Sequence, residues 1–344
     1  MRLSWKHAAV AAAAAAVAGA ALALTRGDDG PEAPPRPAPS AAGACTRLAA
    51  AGSDLSDFLA TLRPGETGCL RGGTYTDGLV VIWSTSGTAD ARVTLQSAPG
   101  ERAELVGTEL LLDGDYQTVR DVTVRDVTAE EGDGISVSGT GDAVEGTTIR
   151  NIARHGILLH TVSVGATVTR NFVSGVGQEG SSFHHGIYVQ GSGHLVAGNV
   201  FADIRGGYGI HVYPDASDTD VLHNTAVGSR TRSGIVVMTT GGGIRVANNI
   251  LAGNDRFGIH FVACGGDCLI DTNLAWENGD GASNAPDDTG RIVEADPRFA
   301  DDEYRLDEGS AAVDAARADL VVSPDRDGVR RPRGDGADLG AHER

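Results

Sequence analysis

His185-Gly186-Ile187-Tyr188-Val189 is followed six residues later by Val196-Ala197-Gly198-Asn199-Val200. The pair returns as Tyr208-Gly209-Ile210-His211-Val212 with Val221-Leu222-His223-Asn224-Thr225. Extended in both directions, Gly-Ile stands at Gly134, Gly156, Gly186, Gly209, Gly234 and Gly258, at intervals of 22, 30, 23, 25 and 24 residues. Asn stands at Asn151, Asn171, Asn199, Asn224, Asn249 and Asn273, at intervals of 20, 28, 25, 25 and 24. Two interlocked series of about 24 residues are the signature of a solenoid.

Each Gly-Ile segment alternates with period two, as in Ile187/Val189, Ile210/Val212 and Ile235/Val237. Alternation of β-branched residues over so short a run means a strand with one buried side. Stacked coils would align like residues into interior Ile and Val columns. The Asn series reads as a corner ladder of stacked amides, with Asp126 as its first member. The Gly series is expected to supply positive φ where the chain re-enters a strand. The fold expected is all-β: a solenoid of stacked strands with about 24 residues per coil.

Both ends need caps. Leu55, Phe58, Leu59 and Leu62 fall at i, i+3, i+4 and i+7, one face of a helix starting near Ser53 and stopped by Pro64-Gly65. The organisation read from the chain is a signal segment over 1–26 and a Pro/Ala-rich linker over 27–44. An N-terminal cap with the first coil follows over 45–78, then repeats over 79–283 and an irregular C-terminal cap over 284–344.

The first segment carries Arg2 and Lys6 before the uncharged, Ala-rich run Ala8–Leu24. It reads as a cleaved secretory signal, with an uncleaved anchor as the alternative. The protein is therefore expected outside the cytoplasm, secreted or in the cell envelope. The four cysteines fall in two local pairs, Cys45/Cys69 and Cys264/Cys268, expected as disulfides in an oxidising compartment. The formal net charge of −18 disfavours nucleic acid as a partner. A polyanionic ligand would need a local Arg cluster or a bridging cation. No second membrane-length stretch is present, and a monomer is expected.

At this point the chain resembles a known family. The stretch LRPGETGCLRGGTYTDGLVV (62–81), the strand HHGIYV (184–189) and the tail from DPRFADDEYRLDEGSAAVDAA (296–316) onward resemble exported right-handed parallel β-helix proteins of the pectate-lyase-like superfamily. The resemblance implies a polysaccharide partner. It also implies a Lys or Arg base, often with Ca²⁺, in lyases of this fold. This chain departs from that pattern, because Lys6 is its only lysine.

A solid β-helix must carry its chemistry on an outer face. Counting outward positions along the Gly-Ile strands gives Ser136, Leu158, Tyr188, His211, Val236 and His260. A second column holds Ser138, His160, Gln190, Tyr213, Met238 and Val262. A longer segment between Asn171 and Gly186 brings Gln178, Glu179, His184 and His185 beside this patch. β-Elimination on a uronic-acid polymer needs a cation for the carboxylate, a base for the C5 proton and an acid for the leaving oxygen. His185, His211 or His260 are candidates for the base, Tyr188 or Tyr213 for the acid, and Arg205 or Arg232 for the cation. Gln190, His160 and His184 complete the expected binding surface. The outward columns carry no carboxylate pair of the kind hydrolysis uses. Asp215 and Asp218 are candidates for a cation, with a solvated loop as the alternative. A non-catalytic glycan-binding protein of the envelope is the second functional reading.

Overall fold

Three long parallel sheets wind around one apolar core in the computed structural model, which describes residues 44–128, 132–177, 181–286 and 290–344. Sheet A has ten strands, from Arg47–Ala49 to Cys268–Asp271, and sheet B has ten, from Gly73–Tyr75 to Ile292–Glu294. Sheet C has nine, from Val80–Trp83 to Gly281–Ser283. Between the two ends every third strand pairs with the next in its sheet, so each coil contributes one strand to A, B and C in turn. The architecture is the parallel β-solenoid expected from the repeats. The expected signal and most of the linker lie outside the described residues, as do Gln178 and Glu179. No helix among the described residues is long and apolar enough to cross a membrane.

The register reproduces the columns counted in the sequence. Leu110, Ile135, Ile157, Ile187, Ile210, Ile235 and Ile259 stack in sheet C and are fully buried. Val119, Val144, Val168, Val196 and Val221 do the same in sheet A. Each such side chain contributes about 1.5–3 kcal/mol by leaving water. At the C-terminal end the outward register slips: Met238 pairs with Ala263 rather than Val262.

Between sheets A and B runs the amide ladder. Asn171, Asn199, Asn224, Asn249 and Asn273 are fully buried, and each Nδ2 of the first four donates to the Oδ1 of the next. Each Oδ1 also accepts the backbone N–H of the preceding coil, so the corner leaves no orphan donor there. The ladder starts two coils later than expected, at Asn171 rather than Asp126. Its first acceptor serves the N–H of Thr147, which holds the register position that Asn151 was expected to fill. Asn151 lies at the next corner, with φ 56°, and donates to Asp126 there.

The Gly column has a different cause from the one expected. Gly134, Gly156, Gly186, Gly209, Gly234 and Gly258 are absent from the positive-φ positions. They are glycines because coils approach closely: a Cβ on Gly186 would lie 2.5 Å from the carbonyl oxygen of Gly209, and one on Gly209 would lie 2.6 Å from that of Gly234. Positive φ falls instead at the corners between sheets, for example at Gly198, His223 and Asn248.

The ends are closed as the composition suggests. Helix Leu55–Thr61, capped by the Asp54 side chain, buries Leu55 and Leu59 on the first coils. Cys45–Cys69 and Cys264–Cys268 are both disulfide-bonded. The last segment does more than cover an end. It doubles back along the A–B corner, packing Leu320 on Ala197, Leu222 and Ala247, and Ala341 on Val200 and Ala202. There Arg331 donates to the ring of buried His223, and the side-chain oxygen of Asn248 accepts the N–H of Arg317.

Candidate functional site on the outer face of sheet C

In the middle coils the outward column after each buried Ile carries Tyr188 and His211, and Tyr213 of the second column joins them in an aromatic and imidazole stack. Tyr188 and His211 are register partners on adjacent coils, with ring centroids 4.9 Å apart and planes inclined by 17°. Tyr213 lies 5.2 Å from His211 at 14°, and 6.2 Å from Tyr188 at 11°. The coil spacing of about 4.8 Å sets the contact between Tyr188 and His211. The rings lie nearly parallel, and their phenol and imidazole edges bring polar atoms to this face.

Beside the stack runs a second ladder, made of titratable side chains. Asp133, His155 and His185 stand just before the Gly of their Gly-Ile strands, and Glu109 stands in register with Gly134, just before Leu110. Glu109 Oε2 accepts the N–H of Asp133 at 3.2 Å, and Asp133 Oδ1 accepts that of His155 at 3.0 Å. His155 Nδ1 accepts the N–H of His185, and His185 Nδ1 accepts that of Tyr208, both at 3.1 Å. The second nitrogen of His185, Nε2, lies 2.8 Å from Nδ1 of His211. Ser136 donates to the other Glu109 oxygen at 2.6 Å.

Burial sets the protonation of these groups. It lowers His155 to about 3, with Arg154 adding to the effect, and lowers His211 to about 3. It holds His185 well below the ordinary histidine value, helped by His211 and His155. It raises Asp133 to about 6. His160, His184 and His260 are also lowered, first by burial. Burial raises the Tyr188 phenol. At neutral pH the stack is uncharged, and the positive charge comes from arginines.

Arg232 sits with its guanidinium carbon 5.9 Å from the centre of the Tyr208 ring, and among the described residues it pairs with no carboxylate. Tyr208 in turn lies 5.0 Å from His211. Arg232 depresses both His185 and His260, so it stands between the stack and His260. Arg154 lies 3.7 Å from Asp133 at the N-terminal end of the face. Arg205 turns elsewhere: its guanidinium is 3.9 Å from Asp203 and 3.5 Å from Asn151 Oδ1, at the corner between sheets B and C.

The structure thus brings together His185, Tyr188, His211, Tyr213 and Arg232, with Gln190 bonded to Tyr188. His184 meets His155 edge-on at 6.0 Å, and its buried Nδ1 has no hydrogen-bond partner among the described residues. His160 lies half-buried at the margin, within the field of Glu109. His260 is two coils from His211, roughly 10 Å by coil spacing, beside Phe257. Counting outward columns missed His155, Asp133, Glu109 and Arg154 as site-forming residues. The signal available was a hydrogen-bond acceptor before successive Gly-Ile pairs, as in Asp133, His155 and His185.

The face does not fit calcium. Oxygen-rich coordination is what that ion requires. Both Glu109 oxygens and one Asp133 oxygen already accept hydrogen bonds, and Asp215 accepts the N–H of Gly191. The one trio of ligand atoms within 4.8 Å among the described residues, Asp325, Asp327 and His342, lies in the C-terminal strap. Its carboxylates are engaged by backbone N–H groups, Arg305 and His342.

A family model described as the right handed beta helix region matches residues 109–282, half of the chain. The chain belongs to the right-handed β-helix family. Pectate lyase Pel9A shares this β-helix with a TM-score of 0.61 at 16% identity, over 88% of this chain and 97% of that one. A rhamnogalacturonan lyase aligns with a TM-score of 0.49 at 10% identity, over 72% and 84% of the two chains. An alginate lyase from Paenibacillus sp. str. FPU-7 aligns with 0.44 at 19% identity, over 68% and 76%. No curated protein matches the β-helix at sequence level.

Proposed function

We propose that this is an exported carbohydrate-active protein that cleaves a uronic-acid polymer by β-elimination on the outer face of sheet C. The observation that carries the reading is the stack of Tyr188, His211 and Tyr213. Its nearly parallel rings bring hydroxyl and imidazole groups beside Arg232, which among the described residues pairs with no carboxylate. Proton-transfer groups beside an unpaired guanidinium suit elimination next to a bound carboxylate. The likeness to a pectate lyase agrees with this reading, as do the two disulfides with export.

In the proposed reaction Arg232 pairs with the uronate carboxylate and so acidifies the C5 proton. His260, neutral and with no hydrogen-bond partner on its ring among the described residues, accepts that proton. The C5–H electrons become the C4–C5 double bond, the C4–O bond breaks, and the Tyr213 phenol protonates the leaving oxygen. His211 and Tyr188 hydrogen-bond the ring substituents. Arg205, engaged by Asp203, takes no part.

One observation favours the second reading, a glycan-binding envelope protein: burial weakens the histidines of the face as bases, and arginine neighbours add to it at His155, His185 and His260. Incubation with pectic, alginate and glycosaminoglycan polymers, with and without Ca²⁺, separates the two. The readout is the ultraviolet absorbance of the unsaturated product. Arg232→Ala should lower kcat/KM at least about 100-fold, as loss of an electrostatic stabiliser does, while Arg205→Ala leaves it unchanged. Binding without product or new reducing ends would make glycan binding the function.

A further inference from the structure

The hydrogen bonds of the titratable ladder determine which nitrogen of His211 carries a proton. The backbone N–H of Tyr208 points at Nδ1 of His185, so that nitrogen holds a lone pair. Neutral His185 must then carry its proton on Nε2. That N–H points at Nδ1 of His211, 2.8 Å away, which must accept. His211 is left with its proton on Nε2. The opposite arrangement would require His185 to accept at both nitrogens, an imidazolate, which no cation at contact distance supports.

We infer that His185 is a positioning residue that fixes the tautomer of His211, so that the face presents Nε2–H of His211 as a neutral hydrogen-bond donor. The lone pair of His211 faces inward and is already used. His211 is therefore shaped to polarise an acceptor oxygen, such as a carboxylate or the enolate it becomes on proton loss, and the base must be another group. This deepens the proposed function and rests on it only for the ligand; the tautomer is a property of the free protein. The rings facing His211 are His185, Tyr188, Tyr208 and Tyr213, with Arg232 beyond Tyr208. None is a carboxylate that would draw a proton onto His211. Burial lowers His211 in the same direction as the bond from His185.

The test is nitrogen NMR of the histidine rings. In ¹⁵N-labelled protein at neutral pH, His211 should give a protonated-type Nε2 and an unprotonated-type Nδ1, and His185 the same. A His211 with Nδ1 protonated would overturn the inference. His185→Asn supplies the separating variant. Its amide oxygen replaces Nδ1 as acceptor for the Tyr208 N–H, but the shorter side chain cannot reach His211. The variant should keep the fold, and the His211 pKa should rise by about one unit or more toward the ordinary histidine value. His185→Gln, whose amide N–H2 replaces Nε2–H, should hold His211 in its native state. An unchanged His211 titration in His185→Asn would refute the role of His185. If that variant does not fold, the wild-type spectrum decides. Should no uronic polymer bind or react, the proposed function fails while these spectra still test the tautomer.

Discussion

Two ladders run along this solenoid and solve the same problem with different chemistry. At the A–B corner, buried asparagines accept the backbone N–H of the preceding coil. At the entrance to sheet C, Glu109, Asp133, His155 and His185 each accept the N–H of the following coil. An asparagine of the first ladder is chemically closed. Asn224 Oδ1 accepts from Asn199, and its Nδ2 donates to Val196 and Asn249. An imidazole in the second ladder spends one nitrogen on the backbone and has another to spare. At His185 that spare nitrogen reaches the solvent-facing stack. A corner can thus aim chemistry outward, at the cost of making the corner titratable.

Breaking the closed ladder should give the largest effect. Asn224→Ala strands the N–H of Asn199 and the carbonyl of Val196 in the fully buried corner. Each buried orphan costs about 1–3 kcal/mol, so a total of about 2–6 kcal/mol is expected. Denaturant unfolding measures it directly, and a loss below about 1 kcal/mol would mean that the amide stack is dispensable. His155→Ala should cost less, about 1–3 kcal/mol, because it strands one donor, the N–H of buried His185. His155→Asn should restore most of that loss, since an asparagine oxygen lies where the imidazole Nδ1 does. Equal losses in the two His155 variants would show that packing, not the ladder bond, carries the residue.

The solenoid was legible in the sequence because two different residue series share one period, which chance seldom produces. The outward columns were legible for the same reason, and they brought Tyr188, His211 and Tyr213 together correctly. The second ladder was hidden because its members differ in identity. Asp133, His155 and His185 have in common only an acceptor atom at the right reach, and a search for repeated letters passes over it. Asn151 misled for the converse reason: it has the right letter at the wrong corner, while Thr147 holds the ladder position. The Gly column was read as a φ requirement although its cause is the carbonyl of the next coil, which exists only after stacking. Arg205 and Arg232 look alike in sequence. Their directions are set by the path of each corner and by Asp203, which engages Arg205.

The sharpest distinction between the ladders is their response to acid. A histidine lowered by burial binds its proton more readily in the unfolded chain. Above its ordinary value of 6.5 both states are neutral, and the stability it permits is fully present. As pH falls below 6.5 toward the folded value of about 3, the unfolded chain takes up a proton that folded His155 refuses, and stability declines. Asp133 works the other way. Its folded value, raised to about 6, favours the folded state as pH falls from there toward the ordinary aspartate range. The sum over all groups is therefore flattened, but a difference between variants is not. His155→Asn removes the histidine and keeps Asp133. The variant and wild type should be equally stable near pH 7, within about 0.5 kcal/mol. Between pH 6.5 and about 5 the wild type should lose about 1–2 kcal/mol more than the variant. Parallel stability curves would mean that His155 is protonated in the folded protein. Its Nδ1 could not then accept the N–H of His185, and the titratable ladder would be broken at its centre.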